Sequence, residues 1–224
     1  MPPVRALACL LASVLLTAGC GASTSADDLS FSYTAIPRGD AALISQWLEI
    51  GNGGDRAVVA RLRITPLDAN GRVLRGVKTV TLFGTDRRRA VIPRGGTGDI
   101  LHFSGTGFRR VRVMRVAVTA VKAVDFPAAE KAVEAQHLDA AGRVVPQTRT
   151  FQRVRVTNPN PDAVTVRLLM IAWEQPPRGA PQQAADVAPL GGLIHVPAKG
   201  TTTVALPPRL RGRAIISVKP YFAR

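Results

Sequence analysis

An all-β fold built from two similar β-sandwiches is predicted by three observations: apolar residues alternate along short runs, strong turn signals separate those runs, and one pattern occurs twice. Val58, Ala60, Leu62 and Ile64 alternate with Val59, Arg61, Arg63 and Thr65, the period of a strand with one buried face. Val164, Val166, Leu168 and Met170 repeat that pattern. Gly51-Asn52-Gly53-Gly54, Asn70-Gly71 and Asn158-Pro159-Asn160-Pro161 supply the turns. Asn70-Gly71 suits a two-residue hairpin, whose central positions both need positive φ.

The repeat fixes the organisation. An offset of 106 places Asn52 on Asn158, Ala57 on Ala163, Val58 on Val164, Arg61 on Arg167, Leu62 on Leu168 and Ile64 on Met170. Ile92-Pro93-Arg94-Gly95-Gly96-Thr97 answers Val196-Pro197-Ala198-Lys199-Gly200-Thr201, and Val113, Met114 and Val116 answer Ile215, Ile216 and Val218. The offset shrinks to 104 and then 102, as short loop deletions would produce. A second match, Leu67-Asp68-Ala69-Asn70-Gly71-Arg72-Val73 with Leu138-Asp139-Ala140-Ala141-Gly142-Arg143-Val144, reflects shared hairpin chemistry.

In chain order, Met1 to Arg5 is a short basic start and Ala6 to Leu16 an apolar run of 11 residues. A membrane-spanning helix needs about 20. Small residues Thr17-Ala18-Gly19 follow, so residues 1–19 are expected to be a removed export signal. Gly21 to Asp28 is small and polar, and residues 20–28 read as a flexible tether. The first sandwich is expected over 29–123 and the second over 139–224. Between them, 124–138 reads as a linker, with helix propensity from Asp125 to Gln136; the same residues equally allow an irregular linker running into the first strand of the second domain.

Leu16-Thr17-Ala18-Gly19-Cys20 resembles the lipobox of bacterial lipoproteins. The resemblance implies cleavage between Gly19 and Cys20, lipid attachment at Cys20 and residence on the extracytoplasmic face of the cell membrane. Thr17 departs from the Leu usual in that family. Two acyl chains, at about 0.8 kcal/mol per buried CH₂, make a stable anchor. The sandwiches resemble tandem immunoglobulin-like domains of envelope lipoproteins. A strand running into Asn158-Pro159-Asn160 and on into a Val-rich strand is similar to FxLYD-type domains. The Phe-x-Leu-Tyr-Asp signature is absent; Ala172-Trp173-Glu174 and Pro66-Leu67-Asp68 stand nearest to it.

Of the two cysteines, Cys9 leaves with the signal and Cys20 takes lipid, so no thiol remains for a disulfide, a nucleophile or a metal. The body must then be held by its core. Without Arg5 the chain carries 29 basic and 15 acidic residues, a net of +14. Of all 30 basic residues 25 are Arg, a bias that resembles proteins of GC-rich actinobacteria. Arg87, Arg88 and Arg89 fall on a loop; Arg109, Arg110, Arg112 and Arg115 lead into a strand whose Val111 and Val113 face the other way; Arg209, Arg211 and Arg213 recur in the second unit. They are candidates for binding anionic lipid, polymer or an acidic protein, and the favoured reading is that they are charges that keep sheet edges apart.

His102, His137 and His195 lack metal-site spacing, and no Gly-x-Ser-x-Gly elbow or phosphate loop occurs. No cofactor and no metal is expected. Triads converge in space rather than in sequence, which leaves Ser104 and Ser217 open for a secreted hydrolase. Few aromatic residues (5%) and an exported location argue against nucleic acid as a partner. Trp47 and Trp173 are expected in the sandwich cores. The leading expectation is a non-enzymatic envelope adaptor with a protein partner. Electrostatic binding of anionic envelope material comes next and a hydrolase last.

Overall fold

The computed structural model describes residues 25–34, 46–126, 131–146, 150–173, 184–208 and 216–222. The signal, Cys20 and Arg209 to Arg213 lie outside them. Among the described residues, twelve strands and two short 3₁₀ turns make up the regular structure, and every strand pairing is antiparallel. The strands are β1 (Leu29–Thr34), β2 (Gln46–Asn52), β3 (Val58–Leu67), β4 (Val77–Thr81), β5 (Thr97–Gly105) and β6 (Val113–Ala123), then β7 (Glu134–Leu138), β8 (Arg153–Thr157), β9 (Val164–Trp173), β10 (Ala184–Val196), β11 (Thr201–Ala205) and β12 (Ile216–Phe222).

The first six strands form a sheet ordered β1-β2-β5-β4 and a two-stranded sheet β3-β6. Leu48, Ile50, Leu101 and Phe103 from the one sheet meet Val58, Ala60 and Leu62 from the other in a single apolar cluster. The last six form β7-β8-β11 and β10-β9-β12, with Val154, Val156, Val164, Val166, Leu168 and Met170 between them. Alternation along each strand dictates this: even-numbered residues of β3 and β9 point inward.

The repeat is visible in register as well as order. β3 pairs Ile64 with Val116, and β9 pairs Met170 with Val218, the partners expected from offsets of 106 and 102. The halves differ at the fourth strand. β4 joins β5, and the following loop pairs with β3 through the isolated bridges Val58↔Ile92 and Arg61↔Arg87. In the second half β10 runs the full length of β9, from Ala184↔Trp173 to Val196↔Val164.

Several expectations are corrected. Residues 131–133 are irregular and Glu134–Leu138 is strand β7, so the described part of 124–138 follows the irregular run into a strand and not the helix; residues 127–130 lie outside what is described. Burial of Leu138 and of Val133 against the second core favours a strand over a free connector there. Only Gly71 takes positive φ in the Asn70-Gly71 turn, so the hairpin has a three-residue loop. Asp68 N–H donates to Arg72 O (3.0 Å) and Gly71 N–H to Asp68 O (3.1 Å). The Asp139–Arg143 loop repeats both bonds at 2.9 and 3.1 Å, which is the shared hairpin chemistry expected. Val113 is exposed (46%) and does not share the burial of Val111.

Candidate functional site

Asn52 and Asn158 are fully buried at equivalent corners. The Asn52 amide donates to Arg56 O (2.9 Å) and Pro93 O (3.2 Å) and accepts from Gly54 N–H. That of Asn158 donates to Asp162 O (2.7 Å) and Pro197 O (3.1 Å) and accepts from Asn160 N–H. One side chain thus satisfies a tight turn and the strand end above it. This is scaffold chemistry.

A second buried group shapes the loop after β4. Asp99 on β5 accepts from Phe83 N–H (3.0 Å), Thr85 N–H (3.2 Å) and Thr85 Oγ1–H (2.6 Å). Burial pushes its carboxyl above the ordinary carboxylate range, against the opposing pull of those bonds. The pinned segment carries Leu82 and Phe83 towards the second half. Phe83 and Ala90 pack on Leu169, and Trp47, Leu82 and Ile100 pack with Ile171 and Val187. β9 is therefore buried on both faces. Trp47 belongs to this junction rather than to a sandwich core; the Trp173 side chain lies outside what is described.

The same segment continues into Arg87 to Arg89, which the fold treats differently. Arg87 Nη2–H donates to Thr81 O (2.7 Å) and its Nε to Asp86 Oδ1 (3.1 Å), so it braces the loop. Arg89 extends over Gly84. Arg88 turns inward to β3. Its N–H reaches Ala60 O (3.1 Å), its φ is +61°, and its Nε is buried without a hydrogen-bond partner.

Arg88 meets Arg61, Arg63 and Leu62 of β3 and Thr119 and Ala120 of β6 around an open groove of about 690 Å³. None of these six is acidic. A β-bulge makes the groove: Arg61 pairs with Ala120 and Leu62 with Val118, leaving Thr119 as the extra residue. The Thr119 hydroxyl donates to Arg61 O (3.0 Å) where a ladder bond would otherwise lie. Arg61 and Arg63 are exposed.

The other expected residues lie elsewhere. Arg109 and Arg110 sit in a 3₁₀ turn, and Arg112 Nη1–H donates to Arg109 O and Val111 O (both 2.8 Å). Arg112 N–H bonds Leu67 O, six residues along β3 from Arg61 and hence about 20 Å away. Arg87–89 and Arg109–112 therefore do not form one patch. His102 is half-buried opposite Val80, His195 exposed opposite Thr165, and Ser104 exposed opposite Lys78. Ser217 pairs through its backbone with Ile171. His137 is buried and stacked on Phe151, ring centroids 4.0 Å apart, and burial holds its pKa below the ordinary value.

Sequence reasoning missed Arg61 and Arg63 as site residues because it read them only as the outward side of a strand. For Arg63 the signal was the comparison of halves, since it answers Leu169 and its neighbour Thr65 answers Ile171; Arg61 answers Arg167 and gave no such signal. Among the described residues there is no group of three or more His, Cys, Asp or Glu placed to hold a metal, and no helix long and apolar enough to cross a membrane. Comparisons with protein-family models, curated proteins and solved structures found no match to this chain.

Proposed function

We propose that the chain is a lipid-anchored protein of the extracytoplasmic envelope in which two tandem immunoglobulin-like sandwiches act as a non-enzymatic interaction module. The observation that carries this reading is the use made of buried polar groups. Gln46, Asn52, Thr81, Thr85, Asp99, Asn158 and Asn160 are each buried and each hydrogen-bonded through the side chain to a turn, a loop or a neighbouring strand. Side chains so engaged hold a shape. They are not presented to a substrate.

Strand order supports the immunoglobulin-like part. β1-β2-β5-β4 opposite β3-β6 matches the A-B-E-D and C-F strands of a constant-type immunoglobulin domain without its last strand. β7-β8-β11 opposite β10-β9-β12 keeps that plan and moves the fourth strand to the other sheet. The lipobox-like run ending at Cys20 supports the anchor. Anchoring would confine the module to a surface and raise its effective concentration near membrane-bound partners.

The test compares the protein with Cys20→Ser in intact cells, by fractionation and in-cell crosslinking. The reading expects the substituted chain to leave the membrane fraction and its crosslinked protein partner to be lost or much reduced. A chain that stays in the membrane fraction would overturn the anchor. Absence of any protein adduct with Cys20 intact would overturn the adaptor.

A second reading, electrostatic binding of anionic envelope material, is favoured by one arrangement: three arginines converging on the bulged face of β3-β6 with no carboxylate among them.

A further inference from the structure

We propose that the groove between β3, β6 and the 86–89 loop is a binding site for a phosphate-bearing polar molecule, held by Arg61, Arg63 and Arg88. The inference rests on the second reading above and names its site and ligand class.

Four independent features meet there. The first is charge: three arginines are among the six residues that line the groove, and the others are Leu62, Thr119 and Ala120. Arginine forks present paired N–H donors that match the oxygens of phosphate, and a doubly charged oxyanion suits a triply cationic lining better than one carboxylate does. The second is the orphaned donor. Arg88 Nε is buried without a partner, although a buried N–H is ordinarily satisfied. Pairing with an oxyanion in the groove needs the side chain to shift, because the Nε is shut off from solvent as it stands.

The third is backbone strain. Arg88 holds φ at +61°, a conformation that favours glycine, in a loop pinned by Asp99 through Thr85 and by Arg88 N–H to Ala60 O. Glycine would serve the turn alone; arginine adds a guanidinium. The fourth is the bulge at Thr119, which breaks the β3-β6 ladder beside Arg61. The repeat gives a built-in comparison, since β9 carries Leu169 in place of Arg63 and buries it against the first half. Arg63 is thus a departure confined to one half.

Size sets the ligand's body. The groove, about 690 Å³ and widely open to solvent, has room for more than one phosphate group. A phosphorylated saccharide and a phospholipid headgroup share this chemistry, and the experiment distinguishes them.

Titration calorimetry of the full chain in non-ionic detergent would use inorganic pyrophosphate and glucose 1-phosphate as probes. Vesicle co-sedimentation would use Cys20→Ser with phosphatidylcholine, with and without phosphatidylglycerol. Saturable binding of either class is expected, and the class bound identifies the source. Arg61→Gln and Arg63→Gln, both at exposed positions, should each weaken it about tenfold, as loss of a charge-assisted pair implies. Arg88→Gly should weaken binding similarly while raising the unfolding midpoint, because it relieves the positive φ; that opposition separates a lost ligand contact from a damaged fold. Arg109→Gln should leave affinity unchanged. Binding that survives all three groove substitutions, or falls equally with Arg109→Gln, would overturn the site while leaving electrostatic attraction standing. Binding of neither probe class would overturn both, and the protein-adaptor reading would be unaffected.

Discussion

Asn158 sits where β8 ends, and a single amide there serves Asp162 O, Pro197 O and Asn160 N–H. Asn158→Ala would leave the buried Asn160 N–H and two part-buried carbonyls unpaired, at about 1–3 kcal/mol for such a loss. Urea denaturation should show it; a change below about 0.5 kcal/mol, the range of ordinary surface substitutions, would mean the corner is not held this way. Asp99 makes a claim about pH. Burial raises its carboxyl pKa in the folded chain, so the folded state binds this proton more tightly than the unfolded state does. Its contribution to stability is fully present below the unfolded value of about 3.9 and is lost as pH rises through the folded value. The stability difference between the protein and Asp99→Asn should therefore shrink as pH rises over that window. A difference that is flat or grows would contradict it. The Asn pair was legible in the sequence because it recurs at one offset. Asp99 was not, since it follows the Arg94-Gly95-Gly96-Thr97-Gly98 run and reads as part of a turn.

Among the elements, β3 and β9 share a register and diverge on one face. Alternation in β3 holds at Arg61 and Arg63, which are exposed, but not at Val59, which is buried against Ala57, Val91 and Val124. In β9 the outward residues Leu169 and Ile171 make the strand apolar on both faces, the signature of an element covered from two sides. Arg61, Arg88 and Thr119 could not be joined from sequence. They lie on different elements, and only the bulge and the folded-back loop bring them together. β5 carries its own constraint, because the Trp47 ring lies over Gly98 and any Cβ there would overlap it. Gly98→Ala is expected to displace Trp47 from the junction, at about 1–3 kcal/mol, with a red-shifted tryptophan emission. Unchanged emission and stability would show that the ring has room to spare.

The whole molecule depends on that junction. Trp47, Leu82 and Ile100 of the first half enclose Ile171 (0% exposed) of the second. Ile171→Ala removes apolar volume from a site covered on both sides, at about 2–5 kcal/mol. It should also separate the unfolding of the two halves in calorimetry, whereas one sharp transition would mean that they are coupled elsewhere. The all-β architecture was legible from periodicity and turns, and the doubling from the offsets. The junction was not, because Trp47 reads equally well as core. The most direct measurement is a crosslinking pull-down from native membranes, with Cys20 intact, washed at low and high salt. A discrete protein that survives high salt is the outcome expected of an adaptor, since apolar contacts resist screening. Recovery of lipid or polymer alone, lost at high salt, would contradict the adaptor and leave anion binding as the function.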